Sequence, residues 1–464
     1  MLKGPSGRLM NQTIVPTRRL KGEAVVPGDR HVSLCRAVLA AICEGTTQLD
    51  GYAPDPDCKI VLEALRTLGV PVEEDGGKAR IGGVGLRGLK QPPDELYCGS
   101  SQTGVALLCG LLAGQGWDVA LTGSEDIGPV ASFVDPLRGM GAQITCKDDG
   151  QPPIHITGSA LSGLHCELPA RDRVAKSALL LAGLYADGET TIWEEGTCAD
   201  HLERALQDAG APIQTRVVQE AIRRDPDDLE AELDRRMKRL EGALKRPPRR
   251  EITLSGGTSC LRGRDMAIPG DMSLASFFLA AGTIVPSAEL IVRNVEMSPA
   301  RMGIVEALKS MGGDISTHRV RKERGEPVGD LVVRRSELRG IRVGGEAAFN
   351  MMDEVPALAI AATQAFGETL IRDVGVLRNG RIDRLSALAA CLKQMGAKIG
   401  ELPDGLIIEG GRPLDGIDAD SQGDPQVAMA LAVAGLVAYG RTVIDHAECV
   451  EPVFPGFFEQ LTTS

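Results

Sequence analysis

The sequence predicts a two-domain α/β protein made of six repeats of about 70 residues, three in each half, and two duplications carry that expectation. The larger is a phrase stated twice, VPGDRHVSLCRAVLAA from Val26 and IPGDMSLASFFLAA from Ile268, which align on Ser33 and Ser273. The finer one is Leu, three residues, Gly, two further residues, then Val or Ile. It occurs as LRTLGVPV (Gly69), LRGMGAQI (Gly141), LQDAGAPI (Gly210), LKSMGGDI (Gly312) and LKQMGAKI (Gly396). One copy would carry little in a chain with 56 glycines, whereas five with the same tail mark a repeated unit.

Each copy reads as the end of an amphipathic helix, closed by a glycine that accepts left-handed geometry and followed at once by an alternating strand. The glycines are spaced 72, 69, 102 and 84 residues apart, so one gap holds an insertion. That insertion is the charge-dense stretch 217–250, with a helix start at Asp225-Pro226 and a stop at Pro247-Pro248. Its Leu229, Leu233, Met237, Leu240 and Leu244 form one apolar stripe. A helix lying on its own domain and a dimerising arm both fit, so the chain is expected to be a monomer or a dimer through 217–250.

Composition narrows the function. With 43% hydrophobic and 25% charged residues the chain has an ordinary globular profile, and no run approaches the ~20 apolar residues of a membrane span. The start lacks the apolar core of a secretory signal, so a cytoplasmic location and no membrane partner are expected. A formal charge of -12 and only 3% aromatics leave neither a basic stripe nor stacking rings, which argues against nucleic acid. The eleven cysteines are scattered and never form C-x-x-C, so neither a disulfide framework nor a metal site is indicated. No nucleotide motif stands out, and no cofactor is expected.

Each Pro-Gly-Asp phrase follows a short apolar strand and precedes a helix. Its backbone amides and the helix dipole favour anions. The two phrases read either as helix starts facing a ligand between the halves or as ordinary strand-to-helix turns. Together with CGSSQTG, KSALLLAGL, DHLERAL, MMDEVPALAIAATQAFGETLIRD and DRLSALAACLKQMGA, they resemble the 5-enolpyruvylshikimate-3-phosphate (EPSP) synthase family, from about Gly22 to Leu461. The resemblance implies a two-domain enolpyruvyl-transferase fold with three βαβαββ units per domain. It places the first domain at 28–268, carrying the insertion, and the second at 1–27 plus 269–464. It also implies transfer of the enolpyruvyl group of phosphoenolpyruvate to the 5-hydroxyl of shikimate 3-phosphate through a tetrahedral ketal. The partner is then an anionic small molecule in the inter-domain cleft.

Two phosphates and two carboxylates meeting in one cleft require lysines and arginines. Matched to the family's Pro-Gly-Asp-Lys-Ser-x-Ser-x-Arg, this chain keeps Ser33 but has Arg30 for the lysine, His31 for the first serine and Cys35 for the arginine, with Arg36 one step on. Other family arginines fall at Ala106 and Gly128, and the phosphate-binding serine phrase becomes Asp172, Arg173, Val174, Ala175, Lys176 and Ser177. In the second half Asp353 matches the aspartate that contacts the reacting hydroxyl, and Arg384 is kept. The family's lysine and glutamate become Gly380 and Arg381, its Asp-His-Arg becomes Asp424-Pro425-Gln426, and its last lysine becomes Val453. The expected site is therefore Asp353 as the catalytic group, with Arg30, Ser33, Arg36, Lys176, Ser177 and Arg384 binding substrate. A charged hydrogen bond contributes about 1.5–3 kcal/mol, so five missing cations would remove about 7–15 kcal/mol, against about 8 for micromolar affinity. The leading expectation is thus a diverged homologue with altered or lost carboxyvinyl transfer. A working enzyme with cations displaced to Arg30, Arg36, Arg173 and Arg381, and a non-catalytic binding module, are the alternatives. Asp353 beside Arg384 reads as a base with an anion clamp or as a buried ion pair. His31 reads as an acid/base group or a helix cap, and Cys35 as a nucleophile or an inert thiol.

Overall fold

The computed structural model describes residues 11–124, 127–147, 150–169, 172–196, 198–218, 249–257 and 260–463. Among these residues no helix is long and apolar enough to cross a membrane. They form six sheets, and five share one plan. In the first, Met266–Ala267 runs parallel to Glu44–Asp50, which is antiparallel to Lys78–Val84, which pairs with Val72–Asp75 as a hairpin. The sixth sheet is shorter: Asp418–Asp420 runs parallel to Thr442–Asp445, and Gln12–Ile14 closes it from the other end of the chain. Six sheets and their helices are the six expected units of a two-domain α/β fold.

The five repeat glycines do what their position demands. Gly69, Gly141, Gly210, Gly312 and Gly396 have φ of +85°, +98°, +91°, +97° and +87°, the region where a side chain is strained. They close the helices Pro56–Thr67, Ala131–Gly139, His201–Ala209, Gly303–Ser310 and Arg384–Gln394. The longer third gap opens the hairpin between Ile213–Val218 and Arg249–Ser255, where Val218 faces Arg249. The ends of the expected 217–250 insertion are therefore strand, which corrects its boundaries. Its expected helix and apolar stripe lie outside the described residues.

Two apolar cores are separate. One gathers residues from Val32 to Ile268, and the other gathers Ile14, Leu20, Ala24 and Val26 with residues from Met272 to Leu461. The chain passes between them twice. Leu20–Val25 completes the second half's sheet by pairing with Ala288–Glu296, while Met266–Ala267 completes the first half's sheet. At the crossing Gly28 and Gly270 form an antiparallel bridge, Asp29 N–H donates to Pro269 C=O at 2.7 Å, and Asp271 N–H donates to Pro27 C=O at 2.9 Å. The repeated phrase is the pair of crossing strands. Each of its aspartates then caps the next helix, Asp29 accepting from Val32 N–H and Asp271 from Ser273 N–H.

Gly28 has no room for a side chain, because a Cβ would lie 2.0 Å from the Gly51 carbonyl oxygen and 2.8 Å from Ile268 Cγ2. Gly28→Ala is expected to destabilise the fold by about 2 kcal/mol or more, read as a lower urea midpoint. Gly116→Ala, where nothing lies within 4 Å, is the control and should stay within about 0.5 kcal/mol of the unaltered chain. Equal losses in the two variants would sink the argument.

Candidate functional site

Every unit sends the start of its first helix toward the gap between the halves. Those helices are Arg30–Ile42, Gln102–Ala113, Arg173–Gly183, Met272–Ile284, Val355–Thr363 and Pro425–Gly435. Arg30, Gln102, Arg173, Asp271 and Pro425, at or beside five of these starts, line two adjoining cavities of about 650 and 190 Å³, as does Asp353 just ahead of the sixth. Each start presents the positive end of a helix dipole, so the fold alone makes this gap favourable to anions.

Side chains add to that field. Arg301, Asp353 and Arg384 line both cavities, Arg30 lines the smaller, and Arg173 and Arg381 line the larger. Burial alone would raise the Asp353 pKa, but Arg30, Arg384, Arg173 and Arg301 hold its carboxyl below the ordinary value, so it is a carboxylate at neutral pH. Arg384 Nη1 lies 4.0 Å from Asp353, and its Nε and Nη2 both reach Asp424 Oδ2 at 3.0 Å. Arg30 Nη1 lies 4.0 Å from Asp55. Arg173 differs from these. Among the described residues no carboxylate lies within ion-pair distance of its guanidinium, and burial lowers its pKa although Asp353 pulls the other way. Arg381, on the opposite wall, is likewise without an ion pair among the described residues.

The cation at the centre, Arg301, was not among the expected site residues. Its Nη2 donates to Asp271 Oδ1 at 3.0 Å and to Ser273 Oγ at 2.8 Å, and lies 3.6 Å from Asp29 Oδ2. Its Nη1 lies 3.5 Å from Glu354 Oε1. Burial opposes its charge, yet Glu354, Asp271 and Asp29 raise its pKa. The one signal in the sequence was an arginine in the otherwise apolar MSPARMG that follows the second Pro-Gly-Asp unit's first strand.

Four expected binding residues do not line the gap. Ser33 is fully buried, and its Oγ accepts from Ala53 N–H at 3.1 Å. Ser177 Oγ donates to Arg173 C=O at 2.8 Å within its own helix. Lys176 is sealed between Glu203 at 2.7 Å and Glu194 at 3.0 Å and also donates to Ala199 C=O; burial opposes its charge, but the two glutamates raise its pKa. Arg36 Nη1 meets Asp208 at 2.7 Å and its Nη2 donates to Arg324 C=O at 2.6 Å in the other half. All four side chains already have partners. The Asp172 carboxylate caps its own helix, accepting from Ala175 N–H at 2.9 Å. Cys35 is buried, and burial pushes its thiol up, which disfavours the thiolate a nucleophile needs. His31 lines the smaller cavity with Nε2 unpartnered, and burial, with Arg173 and Arg30 beside it, pushes its pKa well down, so it is a neutral imidazole.

A sequence model of the family described as EPSP synthase (3-phosphoshikimate 1-carboxyvinyltransferase) matches residues 14–234 and again 231–461. The 3-phosphoshikimate 1-carboxyvinyltransferase of Citrifermentans bemidjiense is 40% identical over 456 residues, covering 98% of this chain and 99% of the relative. That of Geobacter sulfurreducens is 39% identical over 445 residues, covering 95% and 96%. The solved EPSP synthase of Acinetobacter baumannii superposes with a TM-score of 0.82 at 34% identity, covering 98% of each chain.

Arg301 compensates several buried carboxylates, so its loss should depend on pH. Burial raises the Glu354 pKa to about 7, with Arg301 opposing the shift. A carboxyl raised in this way is charged, and costly, only above that pH. Arg301→Met is expected to destabilise the protein by about 3–5 kcal/mol at pH 8 and by less at pH 5, where Glu354 is neutral. Equal losses at the two pH values in urea titrations would refute charge compensation.

Proposed function

The chain belongs to the EPSP synthase family, and from that premise we propose that it is a working 3-phosphoshikimate 1-carboxyvinyltransferase. It would move the enolpyruvyl group of phosphoenolpyruvate to the 5-hydroxyl of shikimate 3-phosphate, using cations displaced from the family's usual positions. The observation that carries this reading is the arginine ring around Asp353: Arg30, Arg173, Arg301, Arg381 and Arg384 line the gap, and two of them have no ion pair among the described residues. Relatives bearing that enzyme's name at about 40% identity over nearly the whole chain support it too, and together they favour it over the altered or lost transfer expected from position matching.

The chemistry suits these groups. The hydroxyl adds to C2 of the enolpyruvyl group while C3 takes a proton, and loss of phosphate with a C3 proton restores the double bond. Asp353, held ionised, is the group suited to accept the hydroxyl proton. Arg173 and Arg381, without an ion pair among the described residues, are the cations suited to phosphate and carboxylate, because a guanidinium offers planar paired donors to both. Arg301 and Arg384 are held by carboxylates and supply field more than new bonds.

Phosphate release from phosphoenolpyruvate, dependent on shikimate 3-phosphate, is the test. Turnover is expected. Asp353→Asn should lower kcat by about 10²–10⁴-fold, as for a general base. Arg173→Ala and Arg381→Ala should each weaken substrate binding by about 10–150-fold, the equivalent of one charged hydrogen bond. No phosphate release from the unaltered chain would return the diverged-homologue reading to the front.

A further inference from the structure

The second half gives the larger cavity an apolar wall. Phe349 ends the short helix Gly345–Phe349, Met352 opens the turn Met352–Glu354, Val376 and Leu377 sit in the turn Gly375–Arg378, and Ile382 follows; all five line the cavity. Leu377 is buried, whereas Val376 beside it is 59% exposed and Phe349 is 41% exposed. Single exposed apolar side chains are ordinary, but several converging on one cavity mark a surface built to be covered. The wall is also held in place. Arg378 Nη1 meets Asp383 at 2.6 Å, its Nη2 donates to Leu402 C=O at 2.7 Å and its Nε to Pro403 C=O at 3.1 Å, which pins the turn with Leu377 inward and Val376 outward. Asp373 Oδ2 accepts from Gly345 N–H at 2.7 Å and so ties the helix ending in Phe349 to the segment that leads into that turn.

Polar groups border this wall. Arg381, next to Ile382, lines the cavity without an ion pair among the described residues, and Asn350 Oδ1, one residue past Phe349, is buried there with no hydrogen-bond partner. We propose that the wall is a binding site for an amphiphilic anion, an aromatic or alicyclic carboxylate whose ring covers Phe349 and Val376 while Arg381 takes its charge. The apolar wall supplies the gain from removing the ring from water, and the guanidinium fixes the orientation of the carboxylate. A hydroxyl on the ring would donate to Asn350 Oδ1, the acceptor that lacks a partner. A cavity of about 650 Å³ is of the size that holds a small molecule. This site goes beyond the reaction proposed above, because phosphoenolpyruvate and shikimate 3-phosphate present phosphates, carboxylates and hydroxyls and offer the wall little apolar surface. Phe349, Asn350, Val376 and Arg381 all belong to the second half, so one half alone builds the site.

Fluorescence titration of the full chain with 2-naphthoate, an apolar ring bearing one carboxylate, is the test. Saturable binding is expected, with 2-naphthylmethanol, the same ring without the charge, binding more weakly. Phe349→Ser should weaken 2-naphthoate about tenfold, since it removes apolar surface that the ring covers. Val376→Thr, which keeps the shape and adds a hydroxyl, should weaken it in the same direction and serves if circular dichroism shows the first variant unfolded. Arg381→Ala should weaken 2-naphthoate by about 10–150-fold and leave 2-naphthylmethanol unchanged. No saturable binding, or variants that bind 2-naphthoate as tightly as the unaltered chain, would overturn the proposal. Phosphate release dependent on shikimate 3-phosphate is read separately: its failure with 2-naphthoate binding intact removes the transferase reading and leaves the apolar site standing.

Discussion

The bridge between Gly28 and Gly270 is the constraint from which the rest of the molecule follows. Each half's first sheet lacks a strand that only a crossing segment can supply: Leu20–Val25 for one, Met266–Ala267 for the other. An open edge there would leave backbone groups unpaired beside a buried core. The chain must therefore cross twice, and the crossings pair with each other, which needs backbones close enough to exclude a side chain at Gly28. Because each aspartate after the glycine caps a helix, the crossing also aims the two helices. The gap with its helix starts is thus a consequence of how the halves are joined.

A gap ringed by helix starts has an electrostatic problem before any substrate arrives. Each start contributes roughly half a positive charge, and the arginines add to it. The structure answers with carboxylates at two levels. Asp29, Asp172, Asp271 and Asp424 satisfy helix N–H groups directly, while Glu354 and Asp271 hold Arg301. Among the described residues, the gap-lining arginines left without an ion pair are Arg173 on one wall and Arg381 on the other. That division separates cations that stabilise the protein from cations available to an anion, and it depends on which carboxylates stand within 4 Å, not on the number of arginines.

Local features were legible in the sequence and distant ones were not. The five glycines and the capping aspartates announce themselves because a left-handed φ and a cap are settled within a few residues. The crossing was legible because duplication repeats the same local solution twice. Matching a motif places Lys176 and Ser33 on their helices and leaves their buried partners unseen; Glu194, Glu203 and the Ala53 amide come from other elements. Arg301 was missed for the converse reason. Its partners Asp29, Asp271 and Glu354 are scattered along the chain, and no spacing rule connects them.

The same distinction bears on what the arginines of one helix can do. On the helix Arg30–Ile42, Arg36 points about 100° around the axis from Cys35. It therefore meets Asp208 and the Arg324 carbonyl across the halves instead of the gap. The helix Arg30–Ile42 now carries a gap-facing cation at its first residue and an inter-half contact six residues on, about 9 Å along its axis at 1.5 Å per residue. A helix of that length moves as one body. Any shift of the halves that carries Arg36 away from Arg324 must carry Arg30 relative to Asp353, so holding the halves together and holding charge around Asp353 become one mechanical condition.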